Sequence, residues 1–203
     1  MAQHNPGKIT ASTCSAILTK ANTPDDLPPG AVTFARQLAL ERLELAGTVR
    51  PDPDEPDLSS NPDIIRGNEL ELDAGAAYEE RMFAAIHDAQ IGATRSEWLA
   101  CTPDGYVGTD GLVETKCPRR KKHFEYLLDP SELEKQYGDQ ARFQLYVTGR
   151  NWCDLVSYCP LFDAPRDVVI RRVHVSPKWV TLLETRLALL ETEIEHILKS
   201  LPG

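Results

Sequence analysis

Residues 101–118, CTPDGYVGTDGLVETKCP, hold the pattern around which the rest of the chain is organised. Short apolar segments at 98–101, 106–107 and 112–116 are separated by PDG and GTDG, which are turn signals between strands. Side chains alternate along a strand, so Glu114 and Lys116 share one face while Val113 and Thr115 share the other. A hairpin places Asp104, at the first turn, beside that pair. Two converging carboxylates, with the Thr115 carbonyl as a further hard ligand, form an oxygen-rich site suited to Mg²⁺ or Mn²⁺. A metal held there lowers the pKa of a bound water and neutralises charge on a phosphate under attack, and Lys116 orients the water or stabilises the developing charge. The competing reading is a surface hairpin with a cross-strand ion pair, because D…E-x-K alone is a short pattern.

Working outward, the segment 10–20 reads as a short helix capped by Thr10 or Ser12. A second helix is expected over 33–46, with Thr33 as cap and Gly47 as stop. Between 48 and 63, prolines interleave with acids, an exposed loop. A long helix is expected over 64–90, ended by Gly92. Its internal Gly67 and Gly75 each cost about 1 kcal/mol against alanine, which asks for a later start or for very close packing. Beyond Lys116 the pattern predicts helix from 119 to 149, with Ser131 and Glu134 spaced as a capping box, and strands at 152–159 and 167–175. The C-terminal helix, about 177–200, has Ser176 as cap, Pro177 in its first turn and a stripe of Leu183, Leu187, Leu190, Ile194 and Ile197. That order, helices, a central sheet with an inserted helical pair and a closing helix, describes one α/β domain over 1–203.

Composition sets the bounds. With 203 residues, 41% hydrophobic and 26% charged, the chain is an ordinary globular one. It has neither an apolar run of membrane-spanning length nor the apolar core of a secretion signal, so a cytoplasmic protein is expected. The five cysteines (14, 101, 117, 153 and 159) are odd in number and include no C-x-x-C, so neither a disulfide framework nor a zinc site is suggested, and Cys153 and Cys159, along an expected strand, read as buried reduced thiols. The net charge of −9 argues against a polyphosphate partner at first sight. However, metal-binding carboxylates and the acids of the 52–63 region account for part of that excess, and basic residues need only line a nucleic-acid path.

Five segments, TPDG (102–105), GLVETKCP (111–118), QYGDQARFQLYVTGRNW (136–152), RGNELELDA (66–74) and KITAS (8–12), together resemble the phage lambda exonuclease family, a branch of the PD-(D/E)xK nucleases. They keep the family's order and approximate spacing over residues 8–160, and several ordered matches are far more specific than any one. The resemblance implies the PD-(D/E)xK restriction-endonuclease-like core, a central mixed β-sheet flanked by helices. It also implies that Asp104 and Glu114 hold the metals and that Lys116 serves the nucleophilic water. Glu71 would complete the second-metal region, with Glu69 as rival, and Gln140 would help position the water, with Gln144 as rival. Ser12 and Thr102 fall at the family's 5′-phosphate-binding hydroxyls. Asn5 departs from the family, which carries an arginine there.

The basic run Arg119, Arg120, Lys121, Lys122, His123 directly follows the metal strand and is either a solvated face or a phosphate track, with Lys20, Arg66 and Arg142 as weaker candidates for the same track. The family resemblance implies a 5′-to-3′ exonuclease on double-stranded DNA, using two ions of Mg²⁺ (or Mn²⁺). Such an enzyme releases mononucleotides, leaves a 3′ overhang, forms a ring-shaped homotrimer and works beside a single-strand annealing protein. The alternatives are an endonuclease of the same superfamily and a non-catalytic DNA clamp that keeps the fold. An iron–sulfur nuclease would need a four-cysteine set that these spacings do not provide.

Overall fold

The computed structural model describes residues 5–23, 26–50, 52, 54, 61–88 and 91–202. In chain order the elements are β1 (Ile9–Thr10), α1 (Ser15–Leu18), α2 (Pro29–Leu45), α3 (Pro62–Met82), β2 (Ile86–His87), β3 (Ala93–Ser96), β4 (Leu99–Cys101), β5 (Gly105–Val107), β6 (Gly111–Lys116), α4 (Arg120–Leu128), α5 (Ser131–Thr148), β7 (Trp152–Tyr158), β8 (Val168–Val173) and α6 (Pro177–Ser200). The main sheet has the order β2-β5-β6-β7-β8, and β6 and β7 are its parallel pair. A smaller sheet, β1-β4-β3, pairs β1 with β4 in parallel. This is a mixed α/β fold with a central mixed sheet and helices on its faces.

Two features of this topology position the site. β4 and β5 are consecutive but belong to different sheets, so the Thr102-Pro103-Asp104 link crosses from one sheet to the other. The β5–β6 hairpin then pairs Gly105 with Val113, which sets Asp104 level with the C-terminal end of β6. The glycines make that hairpin possible. A Cβ at Gly105 would lie 2.2 Å from Ile86 Cγ2, and one at Gly111 would lie 2.2 Å from the Trp152 ring.

β6 is sandwiched. Leu112 packs with Tyr126, Leu133, Ala141 and Leu145 on the α4–α5 side, while Val113 packs with Tyr78 and Val156 on the α3 side. On the α3 side the Tyr78 hydroxyl donates to Asp154 Oδ2 at 2.8 Å, and Arg172 binds the same carboxylate through two nitrogens at 2.8 and 2.7 Å. Asp154 is thus a buried acid with its charge matched. A further core joins β1, α1, α2 and α6 through Ile9, Ile17, Leu38, Leu183, Leu190 and Ile194.

Several local expectations are corrected. α1 covers only Ser15–Leu18, with Thr10 in a strand and Cys14, not Thr10 or Ser12, at the helix N-cap. α2 begins at Pro29, one turn before Thr33, which lies inside the helix. α3 begins at Pro62, capped by the Asn61 side chain on Asp63 N, and ends at Phe83 in the left-handed region (φ 51°), well short of Gly92. The glycines in it neither delay its start nor force close contact: nothing lies within 4 Å of a Cβ at Gly67, and Gly75 meets only Ile86 at 3.5 Å. Ser131 is the first residue of α5 and makes no capping box. Its N–H donates to Asp129 Oδ1, and Glu134 instead pairs with Arg142 and Arg171. Ser176 caps α6 by accepting from Trp179 N at 3.2 Å. Most of the acidic loop after residue 50 lies outside the described residues. All five cysteines are free, four of them buried. Among the described residues, no helix is long and apolar enough to cross a membrane.

Candidate active site

β6 carries Glu114 and Lys116 out of the apolar interior towards α5, which presents Gln140 and Gln144 one turn apart on one face. Glu114 is 3% exposed, and both of its oxygens are engaged. Oε1 accepts from Lys116 Nζ at 2.6 Å and from Gln140 Nε2 at 2.5 Å, while Oε2 accepts from Gln144 Nε2 at 2.6 Å. Lys116 Nζ also lies 5.0 Å from the centre of the Tyr137 ring. Burial disfavours the lysine's charge, but the carboxylates of Glu114 and Asp104 outweigh it and hold its pKa above the ordinary value.

Asp104 is fixed from the strand itself. Its Oδ2 accepts from Thr115 N at 2.6 Å and from Thr115 Oγ1 at 2.7 Å. Burial, and then the negative charge of Glu114, push its carboxyl up to about 7 despite Lys116 and the two Thr115 donors. An acid raised by a neighbouring acid is a place where a cation binds favourably, since a cation relieves both penalties. The donor set, two carboxylates and strand carbonyls, is hard and oxygen-only, which suits Mg²⁺ or Mn²⁺. Among the described residues, no three His, Cys, Asp or Glu side chains stand close enough to cage an ion alone.

Both carboxylates open on a cleft of about 550 Å³. Its far wall is α3, which contributes Gly67, Asn68 and Glu71, and its floor includes Thr102, Thr115 and Tyr137. Glu71 is half-buried on that wall, whereas Glu69 is exposed and does not line the cleft, so the geometry favours Glu71 over its rival. It does not choose between the glutamines, because Gln140 and Gln144 both donate to Glu114. Thr102 lines the cleft. Ser12 does not, and its Oγ lies 3.1 Å from Thr10 Oγ1. The two hydroxyls nevertheless follow the ends of adjacent parallel strands, since Thr10 pairs with Ala100.

The basic run divides. Arg119 and Lys122 line the cleft, Arg119 pairing with Asp63 and Lys122 with Glu125. Arg120 and Lys121 are exposed on α4 and do not line it. His123 is fully buried, which corrects its reading as part of a solvated cationic face. It bonds Ser157 Oγ and the Arg166 carbonyl, each at 2.8 Å, and burial pulls its pKa below the ordinary value. Arg142 is committed to Glu134 and Asp139, and Lys20 lies away from the cleft. Arg66, on α3, has two buried guanidinium nitrogens, Nε and Nη2, with no hydrogen-bond partner among the described residues. Tyr137 was not anticipated from sequence. The available signal was its place one helical turn before Gln140.

A buried acid–lysine pair on the central strand, a second acid at a sheet-to-sheet crossing and a glutamine-bearing helix thus meet at one place. Comparison with known proteins gives the family and the fold. Residues 2–151 match the model of the YqaJ-like viral recombinase domain, and the chain belongs to that family. An alkaline exonuclease from Laribacter hongkongensis superposes with a TM-score of 0.71 at 28% identity, covering 95% of this chain and 92% of that one. The same exonuclease in complex with dAMP superposes at 0.74 with 29% identity over the same shares. A phage-related exonuclease from Haemophilus somnus shares the fold at 15% identity, with a TM-score of 0.74 and 95% of each chain covered. No curated protein sequence matches the chain.

Proposed function

We propose that this protein is a metal-dependent DNA exonuclease that degrades one strand of a duplex from a 5′-phosphorylated end, releases mononucleotides and leaves a 3′ single-stranded overhang for recombination by strand annealing. The observation that carries this reading is the convergence of Asp104, Glu114 and Lys116 on one cleft, with Gln140 bonded to Glu114, in a chain of the YqaJ-like viral recombinase family whose fold is shared with exonucleases. The exonuclease of known structure that binds dAMP supports a nucleotide-sized product.

In this reading Asp104, Glu114, the Thr115 carbonyl and Glu71 would hold Mg²⁺ (or Mn²⁺), two ions in all. When bound, the metal supplies a water of lowered pKa and neutralises charge on the scissile phosphate. The chain's own contribution is positional. Lys116 and Gln140 meet on Glu114 Oε1, so an ammonium and an amide N–H stand at the edge of the carboxylate where water and phosphate would meet. The ammonium stays charged at neutral pH because the carboxylates hold its pKa up, and it stabilises the extra negative charge of the transition state. Gln144, 1% exposed, holds the other oxygen and prevents Glu114 from turning away. Arg119 and Lys122 at the mouth, with Arg66 beside Cys117, supply cations for the strand's phosphates. Arg120 and Lys121, exposed on α4, would extend that track. Ser12 and Thr102 would receive the terminal 5′-phosphate, with Asn5 in place of the family's arginine. A homotrimeric ring around the duplex, with an annealing protein as partner in the cytoplasm, belongs to the same proposal and would reconcile the net charge of −9 with an anionic substrate.

The test is digestion of linear duplex DNA carrying either 5′-phosphate or 5′-hydroxyl ends, beside a closed circle, each with Mg²⁺ and with EDTA. The expected result is Mg²⁺-dependent loss of the phosphorylated linear DNA with the circle intact. Ser12→Ala with Thr102→Ala should slow phosphorylated ends more than hydroxyl ends. Cutting of the circle would replace the reading with an endonuclease, and binding without cleavage in every lane would replace it with a clamp.

A further inference from the structure

A second pocket, of about 830 Å³, lies where the segment after α1 meets the first turns of α6, and it shares no residue with the catalytic cleft. Its lining includes Arg186, Lys20 and Lys178, and no carboxylate among the described residues. In a chain of net charge −9, such a pocket is not what random placement gives. Arg186 is the decisive residue. It is 3% exposed, its Nη2 donates to the Thr23 carbonyl at 3.2 Å, and its Nε and Nη1 are buried with no hydrogen-bond partner among the described residues. A buried guanidinium with unmet donors is costly, and it is retained where an anion completes it. Guanidinium nitrogens beside two lysines and several hydroxyls match the oxygens of a phosphate. One wall is the Trp179 ring, held by its indole N–H donating to Asp139 Oδ1 at 2.8 Å.

We propose that this pocket is a second phosphate-binding site, in which Arg186 contacts the phosphate and Lys20 and Lys178 close over it. The phosphate is carried either by a free ligand of nucleotide size or by a DNA strand passing over the N-terminal turn of α6. Phosphate recognition here does not depend on the nuclease reading, because it uses none of the cleft residues and needs no metal.

The chain has three tryptophans, so its indole N–H signals can be followed singly by NMR, with Trp179→Phe assigning the one that matters. The whole protein, in EDTA, is titrated with inorganic phosphate, with a deoxynucleoside monophosphate and with a short 5′-hydroxyl duplex. Phosphate should move the Trp179 signal and raise Tm by about 3–6 °C at roughly ten times Kd. Arg186→Met should weaken phosphate binding by about tenfold or more while leaving the ligand-free Tm unchanged or higher. Lys20→Ala with Lys178→Ala, at exposed positions, should weaken it by about tenfold and serves if the arginine variant does not fold. Response to phosphate and mononucleotide alone identifies a free ligand. Response to the duplex, with a salt dependence made shallower by about one per lysine removed, identifies a strand. A Trp179 signal that no probe moves, or a phosphate response that survives both sets of substitutions, would overturn the proposal.

Discussion

The two flanks of β6 hold their carboxylates in different ways. On the α5 flank Glu114 is dry and saturated, with both oxygens bound by a lysine and two glutamines. On the α3 flank Asp104 is half-buried at the rim of the cleft, receives the Thr115 donors on a single oxygen, and is pushed up to about 7 by burial and by Glu114. Glu114 therefore resembles a finished structural group, whereas Asp104 carries an electrostatic penalty that a bound cation would remove. Both acids should consequently matter for metal binding, whereas metal-free stability should depend on Glu114 and should not be lowered by neutralising Asp104.

The largest expected effect breaks both sides at once. Lys116→Ala, Asp104→Asn and Glu114→Gln should each lower Mg²⁺-dependent cleavage by about 10³-fold or more, with duplex binding by Lys116→Ala retained. Normal turnover by Lys116→Ala, measured under saturating Mg²⁺, would sink the assignment of this cleft as the active site.

Stability should then separate the acids. Glu114→Gln turns an acceptor into a donor opposite Lys116 and the glutamines, and should cost about 1–3 kcal/mol in metal-free denaturant unfolding. Asp104→Asn keeps an oxygen for Thr115 and removes the repelling charge, so above neutral pH the metal-free variant should be at least as stable as the parent. The sign follows from the raised carboxyl: between 3.8 and about 7 the folded chain holds a proton that the unfolded chain has lost. Stability from this group is full below that window, falls as pH rises through it and levels off above. Mg²⁺ or the Asn variant should flatten that segment of the pH–stability curve.

Smaller effects sharpen the comparison. Gln144→Ala, at a buried position, should lower stability by about 1–2 kcal/mol, whereas Gln140→Ala should lower kcat with little change in Tm. If the kinetic and thermal effects are reversed between them, the roles of the two glutamines exchange. Thr115→Val removes only the hydroxyl donor to Asp104. It should move the lower pH limb of metal binding upward by less than about one unit, read by titrating Mg²⁺ across pH.

How much of this was legible beforehand follows the range of the forces involved. Alternation in GLVETK fixes which side chains share a face, and that is local physics, so the Glu114–Lys116 pair and the Asp104 hairpin were readable. The α6 cap at Ser176 was readable for the same reason. The two-residue strands β1 and β2 were not, because a period of two cannot show itself in two residues. Tertiary context also decided the ends of the helices. Pro29 and Pro62 start α2 and α3 earlier than the apolar pattern does, and the left-handed Phe83 ends α3 without a glycine. His123 sits in a run of cations, yet its burial depends on Ser157 and Arg166, more than thirty residues away. The orphaned nitrogens of Arg186 lie beyond any sequence rule, since an arginine inside an amphipathic helix reads as surface.

The closure of α2 upon α6 also bears on biosynthesis. Arg42 binds Glu191 through two nitrogens at 2.8 Å, across 149 positions of chain, and the apolar faces of α1 and α2 share one core with α6. While the polypeptide is being made, those early helices emerge without the surface they rest on. β1 likewise waits for β4. Contacts of such long sequence separation slow folding and leave apolar faces uncovered in the interim. A nascent chain arrested before residue 177 would thus present Ile17, Phe34 and Leu38 to chaperones, and the emergence of α6 from the ribosome would be the event that lets these helices cover their apolar faces.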